Sequence, residues 1–470
     1  MDGGNALTLP SADINITGLT ADSRAVQPGF LFAALPGSKT DGRRFIDDAV
    51  AKGAAAILTD EATDASVPVI TEKNPRRAFA LAAARFYAPQ PETVAAVTGT
   101  NGKTSTTVFL RQIWEKLNTR GVSMGTIGIH GSGIDKPGSL TTPDPVTLHR
   151  DLHDLAKAGI DHVALEASSH GLDQFRLDGV TIKSAAFTNL TRDHLDYHGD
   201  MEAYFAAKVR LFEELLPRGG TAVYNIDVVE TSRLSRISAS RNHNIITYGR
   251  NPAADIWMSE AIPQGLGQRL VLSGFGEKRD LWTPLMGLFQ AYNILAAAGL
   301  AIGCGAPAGA VFDTIPTLTG VPGRMQRIGD APVIVDYAHT PDALELALNA
   351  LRPFCTGRLI VVFGCGGDRD TGKRPQMGWV AERFADIVIV TDDNPRSENP
   401  ALIREAILAG CPKGEEIGDR AKAIRAAIDC IQDGDIVLLA GKGHEQGQIV
   451  GNKTLPFDDA DIARAALGAK

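Results

Sequence analysis

The stretch VAAVTGTNGKTSTT (94–107) constrains this chain more than any other. An apolar β-branched run meets a turn holding Gly99 and Gly102, and Lys103 and Thr104 follow where a helix begins. Phosphate oxygens need main-chain N–H donors, a helix N-terminus and a cation on a flexible arm, and this order of residues supplies all three. The usual spacing wants a glycine at 97, where this chain has Val97, so the match is to a shortened phosphate loop. Lys103 is expected on the phosphates and Thr104 on Mg²⁺, with Gly99, Thr100, Asn101, Gly102 and Ser105 completing the loop.

Strand candidates then alternate with helices: HVALEAS, SAAFTNL and a long helix over 201–216, a pattern of parallel α/β architecture. A second block from about 333 offers VIVDYA, RLIVVFG, DIVIVT and DIVLLAG with helices between them, as in a doubly wound Rossmann-like sheet. The Gly- and Pro-containing segment 317–332 reads as a linker. At 470 residues the prior is roughly three domains. The expected division is a smaller N-terminal α/β domain over 1–90, a central ATP-binding domain over 91–325 and a C-terminal domain over 326–470.

A net charge of −8 without a Lys/Arg-dense block argues against a nucleic-acid partner. Five cysteines without metal-ligand spacing suit a reducing cytoplasm, each as a small core residue. The first ten residues show no signal peptide, and the Ala/Gly-rich stretch 293–312, with Pro307, reads as a buried helix and its exit loop rather than a membrane span.

Three residues stand out beside the loop. Glu166 ends an apolar strand, where a carboxylate either caps the next turn or offers a hard oxygen to Mg²⁺. His194 and His198 taken alone read as hydrogen-bonded loop histidines. Lys208 shares a helix face with Tyr204, Phe205, Leu211 and Phe212. Lysines avoid such faces or snorkel out of them, and a buried one tends to lose its charge. Pattern alone leaves snorkelling and function equally open.

Together GTNGKTS, LEASSHGL, TNLTRDHLDYHG with Lys208, GVPGRMQRI and DYAHTPDAL resemble the signature blocks of the Mur ligase family, in the family's order and across nearly the whole chain. GCGGDRDTGKRP, DNPR (393–396) and GKGHE (441–445) are similar to the branch that adds the third residue of the stem peptide, DNPR to its meso-diaminopimelate-adding members. The resemblance implies ATP, UDP-N-acetylmuramoyl-L-alanyl-D-glutamate and meso-diaminopimelate as substrates, an acyl-phosphate intermediate, and a carbamylated lysine at Lys208 that helps hold a second Mg²⁺. Lys103, Glu166, His194 and Lys208 would then be the catalytic set, with Thr104, Glu166, His194 and carbamylated Lys208 around metal.

The same resemblance assigns Ser23, Ser38, Lys39 and Thr40 to the uridine end. It gives Thr141, Thr142, Ser168, Gln174, Arg176 and Lys208 to the muramoyl peptide, and Asn293, Arg324, Asp336 and His339 to the nucleotide. For diaminopimelate, Asp393 and Glu445 would take an ammonium, Arg369 and Arg396 a carboxylate, with Asn394, Pro395 and Gly441 shaping the pocket; Asp392 reads as a turn or solvated charge. Expected partners are small molecules only, the chain working as a cytoplasmic monomer. The competing readings are a lysine-adding relative, folylpolyglutamate synthetase, or an ATP-binding switch without chemistry.

Overall fold

The structure is a computed structural model describing residues 7–8, 14–37, 41–138 and 140–468. Two compact units emerge: Met1–Trp257 with Asn293–Phe312, and Met258–Tyr292 with Asp313–Lys470.

In the first unit, a small parallel sheet sets Gly18–Thr20, Phe30–Ala33, Ala56–Thr59 and Val69–Thr71 side by side. The helix Pro75–Phe86 covers one face. Asn74 caps it by accepting from the Arg77 N–H, Pro75 presets its first turn, and Phe79, Ala83 and Phe86 pack with Leu31 and Leu58.

The unit's main sheet runs in the order Ile134–Pro137, Gly128–Gly131, Gly121–Gly125, His162–Glu166, Thr93–Thr98, Ile182–Phe187, Thr221–Asn225 and Asn244–Gly249. From Gly121–Gly125 onward the pairing is parallel. Every residue of Thr93–Thr98 is buried, because helices cover both faces of such a strand; between its terminal threonines the sequence is therefore continuously apolar instead of alternating. The carboxyl ends of three adjacent strands, at Glu166, Thr98 and Phe187, consequently open side by side.

The helix expected over 201–216 is α-helical only from Met201 to Arg210 and then widens into a π-helical turn, Leu211–Leu215. The Leu216 N–H reaches back five residues to the Leu211 carbonyl, and the wider turn lets Leu211, Phe212 and Leu216 all enter the core.

In the second unit, the strands Gln268–Gly274 and Glu277–Thr283 form an antiparallel hairpin. A six-stranded sheet follows in the order Gln326–Arg327, Val333–Asp336, Ile436–Ala440, Leu359–Phe363, Ile387–Val390 and Glu415–Glu416. The pairs Ile436–Ala440 with Leu359–Phe363 and Leu359–Phe363 with Ile387–Val390 are parallel, with packed helices contributing to cores on both faces. The expected linker is partly sheet: Gln326–Arg327 pairs antiparallel with Val333–Asp336, and Val321, Met325 and Ile328 are buried. Among the described residues no helix is long and apolar enough to cross a membrane.

Candidate active site

The phosphate loop leaves its strand at Thr98 and enters the helix Lys103–Lys116. Gly99 and Gly102 take φ of 144° and 88°, which only glycine adopts freely. A Cβ on Gly99 would stand 1.9 Å from Thr188 Oγ1, and one on Gly102 would stand 2.3 Å from Asn293 Oδ1. Both positions are thus closed to a side chain twice over. The second contact also places Asn293, expected at the nucleotide, directly on the loop.

The segment after the neighbouring strand staples the loop in place. Thr188 Oγ1 donates to the Asn101 carbonyl at 2.6 Å, the Asn101 N–H donates to Asn189 Oδ1 at 3.0 Å, and the Thr191 N–H donates to Thr100 Oγ1 at 3.0 Å. Thr188, Asn189 and Thr191 are not among the residues that the sequence alone points to. The signal was available in TNLT, because a polar cluster at the end of the strand beside a phosphate loop has that loop as its nearest partner. Lys103 folds back onto the Gly99 and Thr100 carbonyls at 3.0 and 2.9 Å.

Lys208 does not snorkel. Its side chain is 1 % exposed, its Nζ donates to the Gly99 carbonyl at 2.8 Å, and it lies 4.2 Å above the Tyr204 ring. Burial, reinforced by the nearby Lys103 charge, pulls its pKa down to about 6, so at neutral pH it is an uncharged amine against the phosphate loop. Tyr204 fixes this corner by sharing a hydrogen bond with Thr100 Oγ1 at 3.2 Å, and burial pushes its phenol up to about 12.

Glu166 is buried at the end of its strand, but it does not cap its own turn. Its carboxylate accepts from the Thr126 N–H at 2.9 Å and from Thr126 Oγ1 at 3.1 Å. The two donors offset part of the cost of burying an anion and fix its orientation. His194 takes a left-handed φ of 53° and is exposed, with its ring 4.9 Å from that of His170 and 6.1 Å from Tyr204. Among the described residues no group of three or more His, Cys, Asp or Glu side chains is arranged to hold a metal ion. The hard oxygens of Thr104 and Glu166 still suit Mg²⁺ by chemistry.

The expected muramoyl-peptide residues gather around Thr142. Its hydroxyl donates to the Glu166 carbonyl at 2.9 Å and accepts from both the Ser168 N–H and hydroxyl at 3.0 Å, while Arg176 donates to the Thr142 carbonyl at 2.7 Å and holds Gln174 Oε1. Thr141 reaches Thr126 Oγ1 at 3.0 Å, which ties it to the Glu166 network. Gln174 and Arg176 line a cavity of about 1100 Å³ that extends past Arg76 and Tyr87 to Thr20 and Asp22. Ser23 is buried and does not line that cavity, and its carbonyl accepts from Lys52 at 2.9 Å. Ser38, Lys39 and Thr40 lie outside the described residues.

In the second unit Arg324 stacks 4.6 Å from the centre of the Tyr337 ring. Asp336 accepts from the Met325 and Ala338 N–H groups at 2.8 and 2.9 Å, and its burial raises its pKa. His339 Nδ1 donates to the Tyr337 carbonyl at 2.8 Å, and Lys373 donates to the His339 carbonyl at 2.7 Å. Tyr337, which the sequence does not single out, is the shared partner of Arg324 and His339.

The same unit brings together the residues expected at diaminopimelate, at the ends of Leu359–Phe363, Ile387–Val390 and Ile436–Ala440. A Cβ on Gly366 would meet Arg396 at 2.7 Å and Arg369 at 3.8 Å, and one on Gly441 would meet Asp393 Oδ2 at 2.9 Å. Arg396 has φ of 52° and donates to the Gly367 carbonyl at 2.9 Å. Pro395 is buried between Asn394 and Arg396. Asn394 is committed within the protein, accepting from the Ile449 N–H at 2.9 Å and donating to Glu445 at 2.9 Å. Asp392 corrects the expectation of a solvated charge: it is half-buried and paired with Arg404.

Comparison with known proteins now adds to this geometry. Three family models match: Mur ligase family, catalytic domain, over residues 15–87; Mur ligase middle domain over 97–301; and Mur ligase, glutamate ligase domain, over 323–443. A protein of Bradyrhizobium diazoefficiens named UDP-N-acetylmuramoyl-L-alanyl-D-glutamate--2,6-diaminopimelate ligase is 52 % identical over 100 % of this chain and 98 % of its own length. One of the same name from Mesorhizobium japonicum is 49 % identical over 97 % and 96 %. A solved structure of a ligase so named superposes with a TM-score of 0.76 at 36 % identity, covering 98 % of this chain and 97 % of that one. The chain belongs to the Mur ligase family, with that family's three-domain α/β fold.

Proposed function

We propose that this protein is the ATP-dependent ligase that joins meso-2,6-diaminopimelate to UDP-N-acetylmuramoyl-L-alanyl-D-glutamate, a step of peptidoglycan precursor synthesis in the cytoplasm. The observation that carries the reading is the uncharged Lys208 amine hydrogen-bonded to the phosphate loop, an arrangement with no use in a passive ATP-binding switch. The relatives that match over their full length bear the name of this activity.

A carboxylate and an amine do not condense in water, so the glutamyl carboxylate first attacks the γ-phosphorus of ATP and releases ADP. Lys103, the loop N–H groups and the start of the helix stabilise the charge on the transferring group. The substrate amine then attacks the acyl carbon, loses a proton, and expels phosphate as the amide forms. Thr104, Glu166 and His194 are the groups that would hold Mg²⁺, which supplies charge neutralisation when bound. A neutral Lys208 can attack CO₂ through its nitrogen and lose a proton to solvent, leaving a carbamate that would be one more hard anionic ligand. Residues 1–90 serve the uridine end, 91–325 the ATP, and 326–470 the amino acid. There Arg369 and Arg396 grip a carboxylate while Asp393 and Glu445 take the ammonium.

The test is ADP release by purified protein with Mg-ATP, the UDP-muramoyl dipeptide and a panel of amino acids. Release should require both other substrates and favour meso-diaminopimelate. Equal turnover with L-lysine would overturn the selectivity, and release without any amino acid would overturn the ligase reading.

A further inference from the structure

We propose that Lys442 is a positioning residue for the amino-acid substrate and acts through Glu445, a deepening that rests on the assignment of the 393–396 and 441–445 loops to that substrate. The Lys442 side chain is fully buried, yet its partner is not: Glu445 is 34 % exposed. Lys442 Nζ donates to the Gly447 carbonyl at 2.6 Å, to Asn394 Oδ1 at 3.2 Å and to Glu445 Oε2 at 3.2 Å. Asn394 Nδ2 donates to the same Oε2 at 2.9 Å. Two donors therefore converge on one carboxylate oxygen from the protein side, while Oε1 takes no hydrogen bond among the described residues. Rotation of the carboxylate is stopped with one oxygen left over for an incoming ligand.

A buried pair in the same unit shows what a purely structural arrangement looks like. Arg420 and Asp459 are both 0 % exposed, and both Asp459 oxygens are taken by Arg420 at 2.7 and 2.6 Å. In that pair the anion has no oxygen left over. Lys442 with Glu445 is sealed only on the cation side, the form expected when the anion has a further partner to meet.

The network also joins three segments. Asn394 Oδ1 receives the Ile449 N–H at 2.9 Å as well as Lys442, and Gln448 donates to the Asp393 carbonyl at 2.7 Å. Lys442 thus stands where the loop 393–396, the loop 441–445 and the strand Gly447–Val450 meet, and it shares with the Ile449 N–H the task of orienting the Asn394 amide. Removing the ammonium takes one of the two donors from Glu445 Oε2 and loosens the carboxylate, and the loss should fall on the substrate whose amine it receives.

The experiment compares Lys442→Met, Glu445→Ala and the double variant, with melting temperature followed in each. Lys442→Met should raise KM for meso-diaminopimelate about tenfold or more, as loss of a charge-assisted bond does. KM for ATP and for the UDP-muramoyl dipeptide should stay as in the wild type, and kcat should change little. In the Glu445→Ala background the same substitution should add almost nothing. Equal losses for all three substrates, or a full additional loss beside Glu445→Ala, would overturn the proposal. If Glu445→Ala itself leaves KM for meso-diaminopimelate unchanged, the pocket assignment falls and the proposal with it; an impaired Glu445→Ala beside an unaffected Lys442→Met overturns the proposal alone. Should Lys442→Met fail to fold, Asn394→Ala removes the other donor to Oε2 and carries the same test.

Discussion

Lys208 and Lys442 are both buried lysines, one in each unit, and they are held in opposite ways. Lys208 has one carbonyl at 2.8 Å and the face of a tyrosine, and the charge that acts on it most is another lysine, Lys103, ahead of Asp193. Lys442 has a carbonyl, an amide oxygen and a carboxylate around it. Desolvation costs an ammonium several kcal/mol unless acceptors offset it, and only the second site has three of them with a carboxylate among them. Burial therefore does not say what a lysine is for; its partners do. The first site prepares an amine for covalent chemistry, and the second fixes a charge in a scaffold.

The sharpest way to break that comparison is to delete both side chains and offer replacements. Lys208→Ala should lose activity about a hundredfold or more, the scale seen when one charge-stabilising group leaves an active site. Short carboxylic acids should restore part of it by entering the vacated space as a surrogate carboxylate. Lys442→Ala should gain nothing from them. Rescue of both, or of neither, would show that the two lysines are not doing different jobs; ADP release with and without added formate or acetate decides.

Arg396→Ala comes next, raising KM for meso-diaminopimelate about tenfold to a hundredfold while leaving KM for ATP alone, since a lost bidentate partner of a carboxylate costs a few kcal/mol at most. Equal loss for both substrates would mean that Arg396, which also donates to the Gly367 carbonyl, serves the loop and not the ligand.

A smaller effect concerns pH. Lys208 is neutral above about pH 6 and protonated below it, and only the neutral amine can be carbamylated, so activity should fall as pH drops through about 6. In the unfolded chain the same lysine holds its proton up to about pH 10.4. The unfolded state thus binds more protons between these values, and the stability penalty of this residue is largest below pH 6 and fades as pH rises toward 10.4. The acid limb should disappear from the residual activity of Lys208→Ala; a limb that persists there belongs to another group.

Much of this was legible in the chain, because strand and loop residues carry distinct signals. Continuous apolar runs ending in polar clusters marked the parallel strands, and GTNGKT marked the phosphate loop by its glycines and lysine. Lys208 announced itself by sitting on an apolar face. What could not be read was pairing across the sheet. Glu166 is held by Thr126, 40 positions away, and Lys442 by Asn394, 48 positions away. Such partners are set by strand order, and the insertion of Ile436–Ala440 between Val333–Asp336 and Leu359–Phe363 is a crossover that no local pattern announces. The π-helical turn after Arg210 is not legible in the sequence for a related reason: it keeps the apolar residues of a helix and changes only which of them face inward.

The comparison extends to the two carboxylates these partners aim, and it yields the smallest expected effect. Glu445 takes both of its donors on one oxygen, whereas Glu166 takes one on each: the Thr126 N–H on Oε1 and Thr126 Oγ1 on Oε2. Thr126→Val keeps the shape and the main-chain donor and removes only the hydroxyl. The Glu166 carboxylate then stays anchored at Oε1 and loses about 1 kcal/mol of orientation at Oε2. The outcome should be a loss of about fivefold in kcat at saturating Mg²⁺. A higher Mg²⁺ requirement should accompany it, with no change in KM for meso-diaminopimelate. A change confined to that KM would separate Glu166 from the metal and phosphate chemistry and return its carboxylate to a structural role at the end of its strand.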